Sequence, residues 1–110
     1  MKEILKRALI ERKIEINGEE KYDFFIVDKS ILHVRDMLCI IGNIIEEDLK
    51  NSMYIANVRV GLFDLNETVV VIKLMDHVLH IYCVAEEGMV NQKCCDKAIQ
   101  KVRKELLNER

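Results

Sequence analysis

The chain has no proline and no tryptophan, and its four glycines stand apart at positions 18, 42, 61 and 88. Phosphate-binding loops need several closely spaced glycines, so the common nucleotide-binding loops are excluded. The longest fully apolar run, residues 37–41, is far shorter than the roughly 20 residues that cross a membrane. Residues 1–7 also lack the apolar core of a secretory signal. We therefore expect a cytoplasmic protein with no membrane span.

The chain also lacks an excess of positive charge. Lysine and arginine total 17 against 19 acidic residues, which gives a net charge of −2 and a pI near 5.9. Proteins whose main ligand is nucleic acid or an anionic membrane usually present a basic surface, so neither ligand is expected. Half of the 110 residues are hydrophobic, enough for a single domain over residues 1–110 with its own core.

The strongest structural pattern lies in residues 69–85. Two β-branched and aromatic stretches, 69–75 and 78–85, meet at Asp76–His77 and predict a hairpin. Both stretches are apolar on both faces, which is typical of strands covered on both sides. We therefore predict an α+β fold in which a five-stranded antiparallel sheet carries helices on both faces.

The remaining elements follow from hydrophobic spacing. Asn17–Gly18 fits a hairpin turn or an ordinary loop, and Ile31–Val34 fits either a short returning strand or a first helical turn capped by Ser30. The predicted order is α-β-β-α-β-β-β-α, with helices over 2–12, 35–49 and 90–107 and with strands over 22–28, 53–62, 69–75 and 78–85 beside the uncertain strand at 31–34.

Two elements of this prediction carry unusual apolar surface. The helix over 35–49 has an apolar stripe about half its circumference, wider than the roughly 100° that a helix packed on one sheet needs. Deeper burial in the same domain and contact with a second subunit both explain the width. The strand over 53–62 alternates between a buried and a partly wet face, as an edge strand does, and edge strands can pair with another chain.

Candidates for chemistry are few. The chain contains no G-x-S-x-G motif, and we predict no catalytic residue, no cofactor and no enzymatic activity. The predicted hairpin carries His77, His80 and Cys83, but strand alternation points His80 away from the other two, so no metal site is predicted. Cys94 and Cys95 fit a helix core, although a position in the first helical turns could lower a thiol pKa and serve a metal or redox role.

The best exposed charge feature is a row of lysines on the last predicted helix. Their spacing of four, four and three residues places them on one side of that helix. This lysine ridge is either a solvated face or a docking surface for an acidic partner protein or a phosphate-bearing ligand, and its members are Lys93, Lys97, Lys101 and Lys104.

Three stretches resemble the roadblock (dynein light chain) family, whose architecture is similar to that of profilin and longin domains. Residues 25–34 resemble its first hairpin, residues 69–76 and 78–85 its central hairpin, and residues 91–107 its C-terminal amphipathic helix. The resemblance implies a non-catalytic scaffold or interaction module, a regulator of Ras-like small GTPases or of another protein, that dimerises through the second helix and the third strand. The homodimer interface it implies comprises Met37, Ile40, Ile41, Ile44, Met53, Ile55, Asn57 and Arg59.

Two alternatives from other functional classes stay open. A small-ligand sensor on a similar sheet-and-helix frame would need a pocket between a helix and the sheet. A metal or thiol-redox protein would use the cysteines or histidines named above.

Overall fold

The computed structural model describes residues 1–86 and 93–107. Its main elements in chain order are α1 (Lys2–Glu11), β1 (Glu19–Ile26), α2 (Ile31–Ile41), β2 (Gly42–Asp48), β3 (Met53–Val60), β4 (Asn66–Met75), β5 (Val78–Ala85) and α3 (Cys94–Leu107). The predicted fold class is confirmed, because five antiparallel strands form one sheet and helices lie on both of its faces. Among the described residues no helix is long and apolar enough to cross a membrane.

The sheet has the strand order β1-β5-β4-β3-β2, so β1 and β2 are its two edges. The predicted hairpin at Asp76–His77 is confirmed: β4 and β5 pair from Thr68–Ala85 to Met75–Val78. Both turn residues have positive φ angles, 53° and 63°, as a two-residue type I′ turn requires. The central strands are therefore held by a tight connection and by neighbours on both sides.

The helices cover the two faces of the sheet unequally. On one face α2 and α3 pack together over the main core, which includes Leu38, Tyr54, Ile72, Leu79 and Val102. On the other face α1 packs alone over a smaller core formed by Leu5, Leu9, Ile55, Val71 and Tyr82. One ten-residue helix cannot cover a five-stranded face, so part of the second face stays open.

The predicted helix over 35–49 is wrong in its second half. Helix α2 ends at Ile41, and β2 begins at Gly42 with no loop between them. Residues 31–34 are the first turn of α2, with the Ser30 hydroxyl accepting a hydrogen bond from the His33 amide at 3.2 Å. The strand expected before the second helix therefore lies after it, and the order is α-β-α-β-β-β-β-α.

The prediction that residues 53–62 form an edge strand is also wrong. β3 pairs with β4 on one side and with β2 on the other, so both of its edges are already used within the chain. Its partly polar face reflects the end of the strand that α1 does not reach, where Asn57 and Arg59 lie. β3 therefore cannot join two sheets edge to edge.

Candidate interaction surfaces

The structure places most of the predicted interface residues inside their own chain. Met37 is part of the main core, and Met53 and Ile55 lie beneath α1 in the smaller core. Ile41 and Ile44 are half-buried and pack against the main core. These five side chains therefore offer little or no surface to a second subunit.

The other three predicted interface residues reach the surface to different degrees. Asn57 is half-buried, and Arg59 is exposed with its guanidinium 3.0 Å from a Glu67 carboxylate oxygen. Ile40, near the end of α2, is 66% exposed. Among the predicted interface residues it is the large apolar side chain that is exposed. The wide apolar stripe predicted over residues 35–49 thus combines apolar residues of α2 with those of β2, and Ile40 and Ile45 are its exposed members.

A larger apolar surface lies on the sheet face that α1 leaves uncovered. The strand pairing sets Phe24 opposite His80 and sets Ile26 opposite Val78, which in turn is paired with Met75. Phe24 is 59% exposed and Ile26 is 78% exposed. We call this contiguous surface the open sheet face; its members are Tyr22, Phe24, Ile26, Met75, Val78 and His80.

Three rings form one end of the open sheet face. The rings of Tyr22 and His80 are stacked, with centroids 6.1 Å apart and planes 14° apart, and the Tyr22 hydroxyl lies 2.7 Å from His80 Nδ1. The Phe24 ring lies 6.2 Å from the Tyr22 ring and 6.1 Å from the His80 ring. These contacts fix the orientation of the exposed aromatic surface.

The two titratable rings at this end of the open sheet face, those of Tyr22 and His80, are uncharged at neutral pH, and Lys73 is paired with His80 on the same face. Burial, the N-terminal amino group and Lys73 together hold the pKa of His80 below its ordinary value. Burial, aided by the Asp23 carboxylate, raises the pKa of Tyr22. The neutral imidazole can therefore accept the Tyr22 hydroxyl proton at Nδ1, and neither ring introduces a charge.

A second exposed apolar feature is the loop between β3 and β4. Leu62, Phe63 and Leu65 are 75%, 83% and 73% exposed. The backbone has positive φ at Gly61, Phe63 and Asp64, with angles of 84°, 57° and 51°. We call residues 61–65 the apolar loop, since its large side chains project into solvent from a tight backbone turn.

The lysine ridge of α3 adjoins the apolar loop. Lys101 Nζ donates a hydrogen bond to the carbonyl oxygen of Arg59 at 2.8 Å and lies 3.7 Å from an Asp64 carboxylate oxygen. Lys97 and Lys104, one turn to either side of Lys101, are exposed. Lys93 is also exposed, immediately before α3.

The histidines do not converge with the cysteines. His77 lies in the exposed turn, His80 lies on the open sheet face, and Cys83 lies in the main core on the opposite face. In the described ranges, 1–86 and 93–107, no three potential ligands among Cys, His, Asp and Glu are grouped closely enough to hold a metal ion.

The suggestion that the position of Cys94 and Cys95 lowers a thiol pKa is wrong. Burial and the Glu19 carboxylate raise the pKa of Cys94. A hydrogen bond with Cys83, together with burial, raises the pKa of Cys95. Both thiols are buried and stay protonated, which is typical of packing rather than of nucleophilic or metal-binding cysteines.

A cleft of about 1020 Å³ lies at the end of the sheet away from the open sheet face. Its walls carry positive charge from Arg59 and Lys93 and negative charge from Glu67 and Asp96. Glu86 also lines it. Because the lining mixes both signs of charge, the cleft favours no single class of ligand for the ligand-sensor alternative.

Sequence reasoning places Phe24 and Ile26 on one face of their strand, but it does not show that this face is uncovered. That depends on where α1 packs, which no local pattern specifies. The apolar loop has a local signal that was missed: three large apolar residues in a segment that also holds glycine, aspartate and asparagine.

The comparisons with known proteins leave these surfaces as the basis for inferring function. The roadblock resemblance stays a prediction, and the first hairpin on which it partly rests is absent, because residues 31–34 are helical. No protein-family model, curated protein or solved structure matches the chain.

Proposed function

We propose that this protein is a non-catalytic interaction module of the cytoplasm that forms a homodimer through the open sheet face. The observation that carries the proposal is the contiguity of this surface, which crosses β1, β5 and β4. The charged residue that shares the face, Lys73 opposite His80, turns its Nζ to the carbonyl oxygen of Asn51. Contiguous apolar surface of this kind is uncommon on monomers and usually marks a contact site. Aromatic residues and methionine, as in Phe24 and Met75, are enriched in such interfaces.

A second copy of the chain fits this surface better than a charged partner does. Two-fold symmetry would set the same apolar patch of two subunits against each other, so Phe24 and Ile26 would be buried twice. The patch also borders the free edge of β1, which is regular over its eight residues and has no bulge in its pairing with β5. The other edge strand, β2, is interrupted by a bulge between Ile44 and Glu46, a feature that discourages pairing.

The aromatic rings do not favour nucleic acid as the occupant. A single strand that stacks on aromatic rings also needs lysine or arginine beside them to contact its phosphates. Lys73 Nζ, the nearest cation on the sheet, donates to the carbonyl oxygen of Asn51 at 2.7 Å. Lys2 and Lys6 on α1 are both paired with Glu20, at 3.1 and 3.6 Å.

A Ras-like small GTPase is the further partner that the roadblock resemblance implies. A dimer formed through the open sheet face would leave α2 and the lysine ridge of α3, which lie on the opposite side of the sheet, available to such a partner. The dimer is the part of the proposal to test first, because it depends only on residues whose positions are described.

The test is the mass in solution of three variants, measured by size-exclusion chromatography with light scattering. Ile26→Asp introduces a charge at the most exposed apolar side chain of the open sheet face and should give a folded monomer. Ile40→Asp introduces the same charge at a comparably exposed site on α2 and should leave the dimer unchanged. Leu107→Asp, at an exposed site in the last turn of α3, controls for a general effect of added charge.

Circular dichroism of each variant separates loss of association from loss of folding. If Ile40→Asp gives the monomer and Ile26→Asp does not, the interface lies on the second helix and the open sheet face is not the dimer contact. A monomeric wild-type protein at micromolar concentration would contradict the homodimer itself.

A further inference from the structure

We propose that the apolar loop and the adjoining lysine ridge of α3 form a docking site for an anionic phospholipid surface. The inference concerns a part of the molecule that the proposed dimer contact does not use. It assigns one occupant to two features that are otherwise unexplained, three projecting apolar side chains and a row of lysines.

The apolar loop carries three of the four most exposed large apolar side chains of the described residues. Leu62, Phe63 and Leu65 each expose more than seven-tenths of their surface. A bulky residue such as Phe63 rarely adopts a positive φ, yet here its φ is 57°. The turn thus holds three apolar side chains outward at a local conformational cost, although none of them contributes to either core.

The lysine ridge supplies charge complementarity to phosphate groups. Lys101 is tied to the base of the loop by its contacts with Arg59 and Asp64, so α3 and the loop share one surface. Lys97 and Lys104 lie on the same side of α3 as Lys101 and are exposed. Lysines held next to an anionic membrane each strengthen binding, so this row adds to the apolar contribution of the loop.

The acidic groups near this site are largely neutralised. Asp64 pairs with Lys101, and Glu67 pairs with Arg59 at 3.0 Å. Each of these pairs is neutral as a whole, so the positive charge beside the loop is that of Lys97 and Lys104, although the whole chain has a net charge of −2. A basic surface can thus exist without an overall excess of basic residues, and the net charge is a poor guide to this site.

The shape of the site favours a lipid surface over a protein groove. A protein partner would need a pocket that matches three separate projecting side chains, whereas the interfacial region of a bilayer deforms around them. Apolar groups inserted at the headgroup level with lysines beside them combine the two contributions that drive peripheral membrane binding.

The absence of tryptophan from the chain allows a direct test. Phe63→Trp places a single fluorophore at the tip of the loop, and Ile40→Trp places one at an exposed site on α2 as a matched control. With phosphatidylcholine vesicles that contain phosphatidylglycerol, emission of Phe63→Trp should shift to shorter wavelength. Emission of Ile40→Trp should not shift.

Vesicle cosedimentation of the full chain separates the two contributions. Phe63→Ser should lower the partition coefficient at least about tenfold, since a large apolar side chain no longer enters the interface. The double variant Lys97→Gln/Lys104→Gln should lower binding to the anionic vesicles several-fold and reduce its dependence on salt. The matched control Ile40→Ser, at an exposed apolar site on α2, should bind like the wild type.

Three results would overturn the proposal. The first is that the wild type does not cosediment, at low salt, with vesicles that contain phosphatidylglycerol. The second is equal binding to vesicles of phosphatidylcholine alone, which would leave the lysines without a role. The third is binding of polyglutamate, but not of vesicles, in a manner that Phe63→Ser weakens, which would assign the site to an acidic protein.

Discussion

The carbonyl oxygen of Asn57 on β3 occupies the space that a side chain at Gly42 would need. A Cβ at position 42 would lie 2.1 Å from that oxygen, closer than any real carbon–oxygen contact of this kind. Gly42 is the first residue of β2 and directly follows the last residue of α2. The chain can therefore turn from helix into edge strand without a loop because the two backbones approach each other at a glycine.

We expect Gly42→Ala to destabilise the protein by about 1–3 kcal/mol, because the backbone of β2 must move away from β3 to admit a methyl group. The backbone angles of Gly42 are extended and open to any residue, so the effect should come from the close approach alone. Urea unfolding measures it, with Asn43→Ala, at the exposed neighbouring position, as the control. Equal stability of Gly42→Ala and wild type would contradict this account.

The same relationship explains why the sequence predicts the fold class but misplaces one strand. Ile40, Ile41, Ile44 and Ile45 fit a continued helical stripe as well as they fit a strand, and no proline marks the boundary. The outcome is decided by β3, whose outer edge gains a hydrogen-bonded partner, interrupted by one bulge, when residues 42–48 pair with it. Pairing with a distant strand cannot be predicted from the residues of a short segment alone.

Glu19 caps the start of α3 from another element. Its carboxylate oxygen accepts a hydrogen bond from the Cys95 amide at 3.1 Å, where a helix has unpaired donors and favours negative charge. Glu19→Ala should therefore lower the free energy of unfolding by about 1 kcal/mol. Urea unfolding at neutral pH measures the loss, and Glu11→Ala, exposed at the end of α1, should change little. An equal effect of both variants would refute the cap.

The thiols should differ sharply in reactivity. Cys39 is exposed, whereas Cys83, Cys94 and Cys95 are buried, and the pKa values of Cys94 and Cys95 are raised. Because the thiolate is the reactive form, we expect one thiol per chain to react promptly with DTNB in the folded protein and all four to react in denaturant. Rapid reaction of a second thiol in the folded state would contradict the burial of the other three.

The stability of the protein should fall when the pH is lowered through the range in which His80 titrates. The pKa of His80 in the folded state lies below its ordinary value of 6.5, so the unfolded chain binds this proton more readily. The stability that depends on a neutral His80 is present above about pH 6.5, and it is lost as the pH falls towards the pKa of His80 in the folded protein. Tyr22, Lys73 and the N-terminal amino group face this imidazole.

Urea unfolding at pH 7 and pH 5, at one fixed protein concentration, tests this expectation. His80→Gln should show a smaller loss of stability between the two pH values than the wild type does. His33→Gln, at an exposed position in the first turn of α2, is the matched control and should follow the wild type. If His80→Gln retains the full pH dependence, His80 is not its source.

The candidate sites show a different limit of sequence reasoning. Alternation along β1 correctly puts Phe24 and Ile26 on one side of the strand. Whether that side is core or surface depends on the length and position of α1, which covers Val71 and Tyr82 but stops short of Ile26. Met53 and Ile55 show the opposite case, since the α1 packing that leaves Ile26 open buries them in the chain's own core.

Native mass spectrometry of the wild type beside Ile26→Asp tests the central claim, association through the open sheet face, most directly. The account predicts a wild-type mass of twice 12.9 kDa and a variant mass of 12.9 kDa, with unchanged circular dichroism. A wild type that is monomeric, or an Ile26→Asp variant that remains a dimer, would contradict the claim that this face joins two copies.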